Sequence, residues 1–216
     1  MLRRLKDNIT GEPFLRGRSG REFRRTVCAL GWPWPPRPGC VVVLGEMRHA
    51  PTALGERRHI LLLSEEWSES PAKLLESAER ALRLYHARRI VTPEDDPRIA
   101  LVDADNDARR EERRVPLRTE SPLAWHGRGE GLLPYYLSLL HARVKDAKTL
   151  FLGASSRLPA DVALADSEAT PQSAMLQWPG LCALAWAVEA LDMQPAREWS
   201  SRATLPGGPA DALGGY

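Results

Sequence analysis

Gly39-Cys40-Val41-Val42-Val43-Leu44-Gly45-Glu46 decides the fold. A short aliphatic run between glycines is too brief for a helix and reads as a strand buried on both faces, closed by Glu46. Downstream, after a polar turn through Pro51 and Gly55, Ile60-Leu61-Leu62-Leu63 repeats the pattern, and the connection is short enough for an antiparallel pair. Ser70-Pro71 then supplies an N-cap with proline at the first helical position. Leu74, Leu75, Ala78, Leu82 and Tyr85 recur at helical spacing, predicting a helix to about Arg88. Ile90-Val91-Thr92 reads as a third core strand, stopped by Pro93 and followed by Glu94-Asp95-Asp96.

Beyond Pro97 the chain turns polar. Ile99–Val102 reads as a short strand, and Asp103–Asp107 with Arg109–Arg114 as an exposed excursion. Leu133, Tyr136, Leu137, Leu140 and Val144 mark a second amphipathic helix, Thr149–Gly153 another strand, and Leu181, Leu184, Ala185, Val188 and Leu191 a third helix from about Pro179. The tail from Pro195, rich in Pro, Gly, Ala and Ser, has no periodicity and is expected to be disordered. Short strands alternating with helices predict an α/β domain, a mixed central sheet flanked by helices.

Upstream of that strand, residues 1–25 carry eight basic residues against three acidic ones. Arg16, Arg18, Arg21, Arg24 and Arg25 are the candidate contacts to nucleic-acid phosphates, with a solvated leader as the other reading. Gly31-Trp32-Pro33-Trp34-Pro35-Pro36-Arg37-Pro38-Gly39 is a stiff connector, in which Trp32 and Trp34 are expected to cap the core from outside. The expected organisation is a basic arm and connector over 1–38, one domain over 39–193 and a tail over 194–216.

With 216 residues, 43% hydrophobic and 27% charged, the chain suits one core, and its apolar runs are too short to span a bilayer. Met1–Asp7 has no apolar stretch behind its basic residues, so no secretory signal is read and a cytoplasmic location is expected. Cys28, Cys40 and Cys182 lack paired spacing and should be free, mostly buried thiols.

Several chemistries are excluded by spacing. No phosphate-binding loop is present, and Gly127-Arg128-Gly129-Glu130-Gly131 departs from the dinucleotide pattern. Asp103, Asp105 and Asp107 mimic the start of a calcium loop, but Ala108 and Arg114 stand where glycine and glutamate are needed. The five histidines show no tight ligand spacing. The strand-end carboxylates remain: if the strands ending at Glu46 and before Glu94 and Asp95 are neighbours, these acids converge on one sheet edge, able to hold Mg²⁺ or Mn²⁺ for phosphoryl transfer.

This order of elements resembles the ribonuclease H-like fold over about residues 40–192, especially the nuclease domain of phage large terminase subunits. Gly39–Glu46, Ser121-Pro122-Leu123, Thr149–Gly153 and Leu184–Val188 are also similar in wording to uncharacterised tailed-phage and prophage proteins. The resemblance implies metal-assisted cutting of packaged double-stranded DNA, with acids on the first strand, after the fourth, and near the last helix. Glu46, Glu94 and Asp95 are its catalytic candidates. For the third place Gln177-Trp178-Pro179-Gly180 offers no acid, so Asp166 or Glu168 would have to reach in from the preceding loop. A separate packaging ATPase or portal-type phage protein is the implied partner. The alternative is a non-enzymatic phage assembly or DNA-binding protein that keeps the fold without the site.

Overall fold

A computed structural model describes residues 2–48, 58–125, 132–146, 148–168 and 175–193. The strands are β1 (Arg3–Lys6), β2 (Pro13–Arg16), β3 (Glu22–Gly31), β4 (Gly39–Met47), β5 (Ile60–Ser68), β6 (Ile90–Val91), β7 (Thr119–Glu120) and β8 (Leu150–Phe151). The helices are α1 (Pro71–Tyr85), α2 (Ile99–Glu111), α3 (Leu132–His141), α4 (Leu158–Glu168) and α5 (Pro179–Met193). The spatial order is β8-β5-β4-β3-β6-β7, with the β1–β2 hairpin attached at the start of β3. β3, β4 and β5 run antiparallel in succession, whereas β6 and β8 join in parallel to β3 and β5. The fold is α/β, with a mixed sheet between helices.

The run that opened the sequence lies in β4 and is buried on both faces as expected, and the predicted pairing with Ile60–Leu63 is present. Its other neighbour overturns the expected domain boundary. Residues 22–31, assigned to a basic arm, form β3, which pairs with β4, β2 and β6 and is the most connected strand. Its basic residues, Arg24 and Arg25, stand near its start. Val27-Cys28-Ala29-Leu30 is fully apolar and buried, which is why the strand sits inside rather than trailing in solvent.

Alternation along β3 and β4 feeds two cores. Cys28, Leu30, Val41 and Val43 pack with Leu74, Leu75 and Ala78 of α1 and Val102 of α2, while Val27, Ala29, Val42 and Leu44 pack with α3, α4 and α5. α1 starts on the Ser70 cap and ends at Tyr85, short of Arg88, because His86 turns left-handed (φ 57°) and its ring meets the Leu2 carbonyl at 3.1 Å. Apart from Glu189, α5 is apolar on every side from Leu181 to Leu191 and correspondingly buried there. Its start is pinned twice. The Asp161 carboxylate accepts the Leu181 N–H at 2.8 Å, and Gly31 lets the Pro179 carbonyl approach so closely that a β-carbon there would lie 2.0 Å from its oxygen.

Other segments differ from expectation. Ile99–Val102 is not a strand, and the excursion after it is helical as far as Glu111: both enter α2, whose Val102, Asn106 and Arg109 form a buried stripe at helical spacing. The second helix yields at Ala142–Asp146 to a wider π-type turn, and the strand expected over Thr149–Gly153 shortens to β8. Trp32 belongs to the α1-side core rather than capping it, while Trp34 is half-exposed. The turn through Pro51 and Gly55, the glycine cluster at 127–131 and the 194–216 tail lie outside the described residues.

Candidate functional site

The carboxylates expected to share one metal centre are dispersed. β3 stands between β4 and β6, so the strands bearing Glu46 and leading to Glu94 are not neighbours. Glu46 lies opposite Arg25, whereas Val91 lies opposite Ala29. Four residues of β3 therefore separate the two levels, roughly 13 Å at about 3.3 Å per residue, and Glu94 and Asp95 lie farther still, past Pro93. Glu94 and Asp95 are exposed, and Asp95 accepts the Trp125 indole N–H at 2.7 Å. Asp96 beside them is buried and clasped by Arg98.

The remaining candidates do not complete the set. Asp166 and Glu168 lie in α4, not in a loop; Asp166 faces His141 at 3.5 Å and Glu168 pairs with Arg37 at 2.8 Å. Sequence reasoning passed over Glu189, a buried acid on α5. Its carboxylate accepts the Ala124 N–H at 3.0 Å and the Tyr136 hydroxyl at 3.2 Å, and burial pushes its pKa up. The first bond fastens the segment after β7 to α5, and the second fastens α3 to α5. Among the described residues no three His, Cys, Asp or Glu side chains gather closely enough to hold a metal ion. Nor does the end of β3 nearest Glu94 offer an acid, since it reads Leu30-Gly31 and runs on into Trp32. The described residues bring together no set of convergent oxygens of the kind a Mg²⁺ or Mn²⁺ pair needs.

Glu46 instead stands in an arginine cluster at the other end of the sheet. A cavity of about 550 Å³ opens there, lined by Arg24, Arg25, Arg58 and Arg143 with Glu46 and Asp192. β3 places two of these arginines, because a register shift between Phe23 and Arg25 interrupts the alternation and lets consecutive residues reach the same cavity. Buried Arg25 donates to Glu46, its cross-strand partner, and to the Leu191 carbonyl near the end of α5. Buried Arg143 grips Asp192 through two nitrogens, and its Nη1 donates to the Arg58 carbonyl at 2.8 Å and to Thr149 Oγ1 at 3.1 Å. Both carboxylates are thus committed inward. Arg58 reaches the second Glu46 oxygen at 3.2 Å and stays half-exposed.

Arg24 differs from the other three. Among the described residues no hydrogen-bond or ion-pair partner faces it. Burial, and next the Arg58 charge, hold its guanidinium pKa below the ordinary value, against the pull of Glu46 and Glu12. Of the expected phosphate contacts, therefore, Arg24 faces a cavity, Arg25 is buried in an ion pair, and Arg16 is tied to Glu22. Arg18 and Arg21 are exposed in the turn between β2 and β3. Cys28, Cys40 and Cys182 are free and buried, matching expectation, and burial raises the Cys28 thiol to about 12.

No family model, curated protein or solved structure matches the chain. Among the described residues no helix is long and apolar enough to cross a membrane.

Proposed function

We propose that the chain is a ribonuclease H-like domain of phage DNA-packaging type that binds double-stranded DNA without cutting it. The strand order supports the fold: three antiparallel strands, then a helix, then strands added in parallel beside the first of the three, with a long last helix across the sheet. In that reading β3, not β4, is the first strand, and its end nearest Glu94, Leu30-Gly31, offers no acid. This single observation carries the non-cutting assignment. Glu46, the residue closest in sequence to that role, neutralises Arg25 and Arg58 instead.

The binding half of the proposal rests on the basic edge of the sheet. Arg3 and Lys6 on β1, Arg16 on β2 and Arg18 and Arg21 in the following turn are all exposed. Arg3 and Arg16 are cross-strand partners and share a face. Cations spaced along one rim can neutralise successive phosphates and release their counterions. A separate packaging ATPase or portal-type phage protein in a bacterial host cytoplasm would bring the duplex to this edge.

Fluorescence anisotropy with a short blunt duplex over a series of salt concentrations tests the binding. The wild type should bind with a steep salt slope. The Arg18→Ala/Arg21→Ala pair should bind more weakly, its slope shallower by about 0.9 for each phosphate that the protein no longer neutralises. A pair that binds as tightly as wild type, with the same slope, refutes the assigned edge.

A further inference from the structure

We propose that the arginine-lined cavity between β3, β4, α3 and α5 is a binding site for a phosphomonoester of nucleotide size, its phosphate held by Arg24 and Arg58. The inference stands apart from duplex binding by the outer rim, since it concerns another set of side chains and a ligand that fits inside a cavity.

Charge selects the ligand class. The lining brings four arginines and two carboxylates together, and the carboxylates already face Arg25, Arg143 and Arg58. Within the lining two positive charges are left over, with Glu12 drawing on Arg24 from outside it. A cation is repelled from such a lining, a neutral ligand leaves Arg24 uncompensated, and a phosphodiester brings only one negative charge. A phosphomonoester carries about −1.5 to −2 at neutral pH, with three acceptor oxygens that match guanidinium forks. Burial first and the Arg58 charge second hold the Arg24 pKa below its ordinary value, in keeping with two guanidiniums lining the same cavity.

Size and lining select the rest. About 550 Å³ accommodates a nucleoside monophosphate, within the roughly 300 to 1,000 Å³ usual for small-ligand sites. Ile60, Leu139 and Leu191 give the cavity an apolar wall, and Tyr135 presents a part-exposed ring at its edge on which a base can stack. Arg25 and Arg143 are the buried supports that fix this wall to the sheet and to α5. Arg24 and Arg58, less buried and less committed, are the groups free to turn toward a ligand.

Isothermal titration calorimetry with thymidine 5′-monophosphate, thymidine and inorganic phosphate tests the site. The monophosphate should bind, inorganic phosphate more weakly, and thymidine not at all. Arg24→Gln and Arg58→Gln should each weaken the monophosphate about 10- to 100-fold, the loss of one charged hydrogen bond, while leaving the thermal unfolding midpoint near wild type. Arg24→Lys should recover part of the affinity. Competition by an oligonucleotide carrying a 5′-phosphate, against the same strand without it, then separates the two sources of the group. Preference for the phosphorylated strand assigns a DNA end, and no preference assigns a free mononucleotide. The proposal is overturned if the folded wild type shows no heat with monophosphate at millimolar concentration, or if both glutamine variants bind it as wild type does.

Discussion

Replacing Glu46 by glutamine separates a structural ion pair from a metal ligand by the sign of its effect on stability. Glu46 is 6% exposed and Arg25 9%, and the two meet in register across β3 and β4. Removing one partner of a buried pair costs about 3 to 5 kcal/mol, because the other charge stays desolvated. Glutamine keeps the volume and one acceptor oxygen, and Arg25 retains the Leu191 carbonyl, so the low end, about 3 kcal/mol, is expected. The Arg58 contact adds under about 1 kcal/mol because that side chain is part-exposed. Urea unfolding at neutral pH, followed by tryptophan fluorescence, gives the difference directly. The double variant Arg25→Met/Glu46→Leu should recover to within about 1 kcal/mol of wild type, since an apolar pair of similar size removes both charges at once. An acid held ready for a cation behaves oppositely: losing its charge relieves repulsion. Unchanged or increased stability in Glu46→Gln would refute the pairing as the role of this residue.

Gly31→Ala should destabilise the fold by about 3 kcal/mol in the same assay, because the added carbon meets the Pro179 backbone rather than a side chain that can turn away. Glu79 is held down to about 2 by hydrogen bonds from Arg109 and Arg114, so its stabilising contribution is full above its ordinary value of 4.5 and fades as pH falls toward 2. Acid titration of unfolding should therefore show Glu79→Gln losing less stability than wild type across that window. Thr92 is fully buried, and among the described residues its hydroxyl meets no partner. Thr92→Val should be neutral or stabilising by about 1 kcal/mol, whereas a loss of more than that would mean the hydroxyl is satisfied. The three cysteines should react with a thiol reagent only on unfolding.

The elements that announced themselves were those whose own residues carry the pattern: the run in β4, the capped and periodic α1, and α5, apolar apart from Glu189 and Asp192. β3 was hidden by its company. Arg24 and Arg25 extend a basic stretch, and Pro33 and the prolines after it look like a linker, so the buried run between them was assigned to the arm. α2 was hidden because its inward stripe contains Asn106 and Arg109. Asn106 satisfies the Leu117 backbone in both directions, and Arg109 meets Asp105 and Glu79, so polar residues occupy positions where an apolar periodicity would be sought. The candidate site failed for a related reason. Glu46 does close a core strand, but its neighbour across the ladder, Arg25, becomes visible only when β3 is known to be a strand and its register is fixed. The arginine cavity draws on β3, β4, β5, α3 and α5, and no local spacing could have assembled it.

The most direct test of the central claim is incubation of the purified protein with supercoiled plasmid in Mg²⁺ and, separately, Mn²⁺, read by gel for nicking and in parallel for retardation. The predicted result is retardation that weakens with salt and no conversion to nicked or linear DNA with either ion. Metal-dependent cleavage that disappears in Glu94→Gln/Asp95→Asn, while the variant still unfolds like wild type, would contradict it.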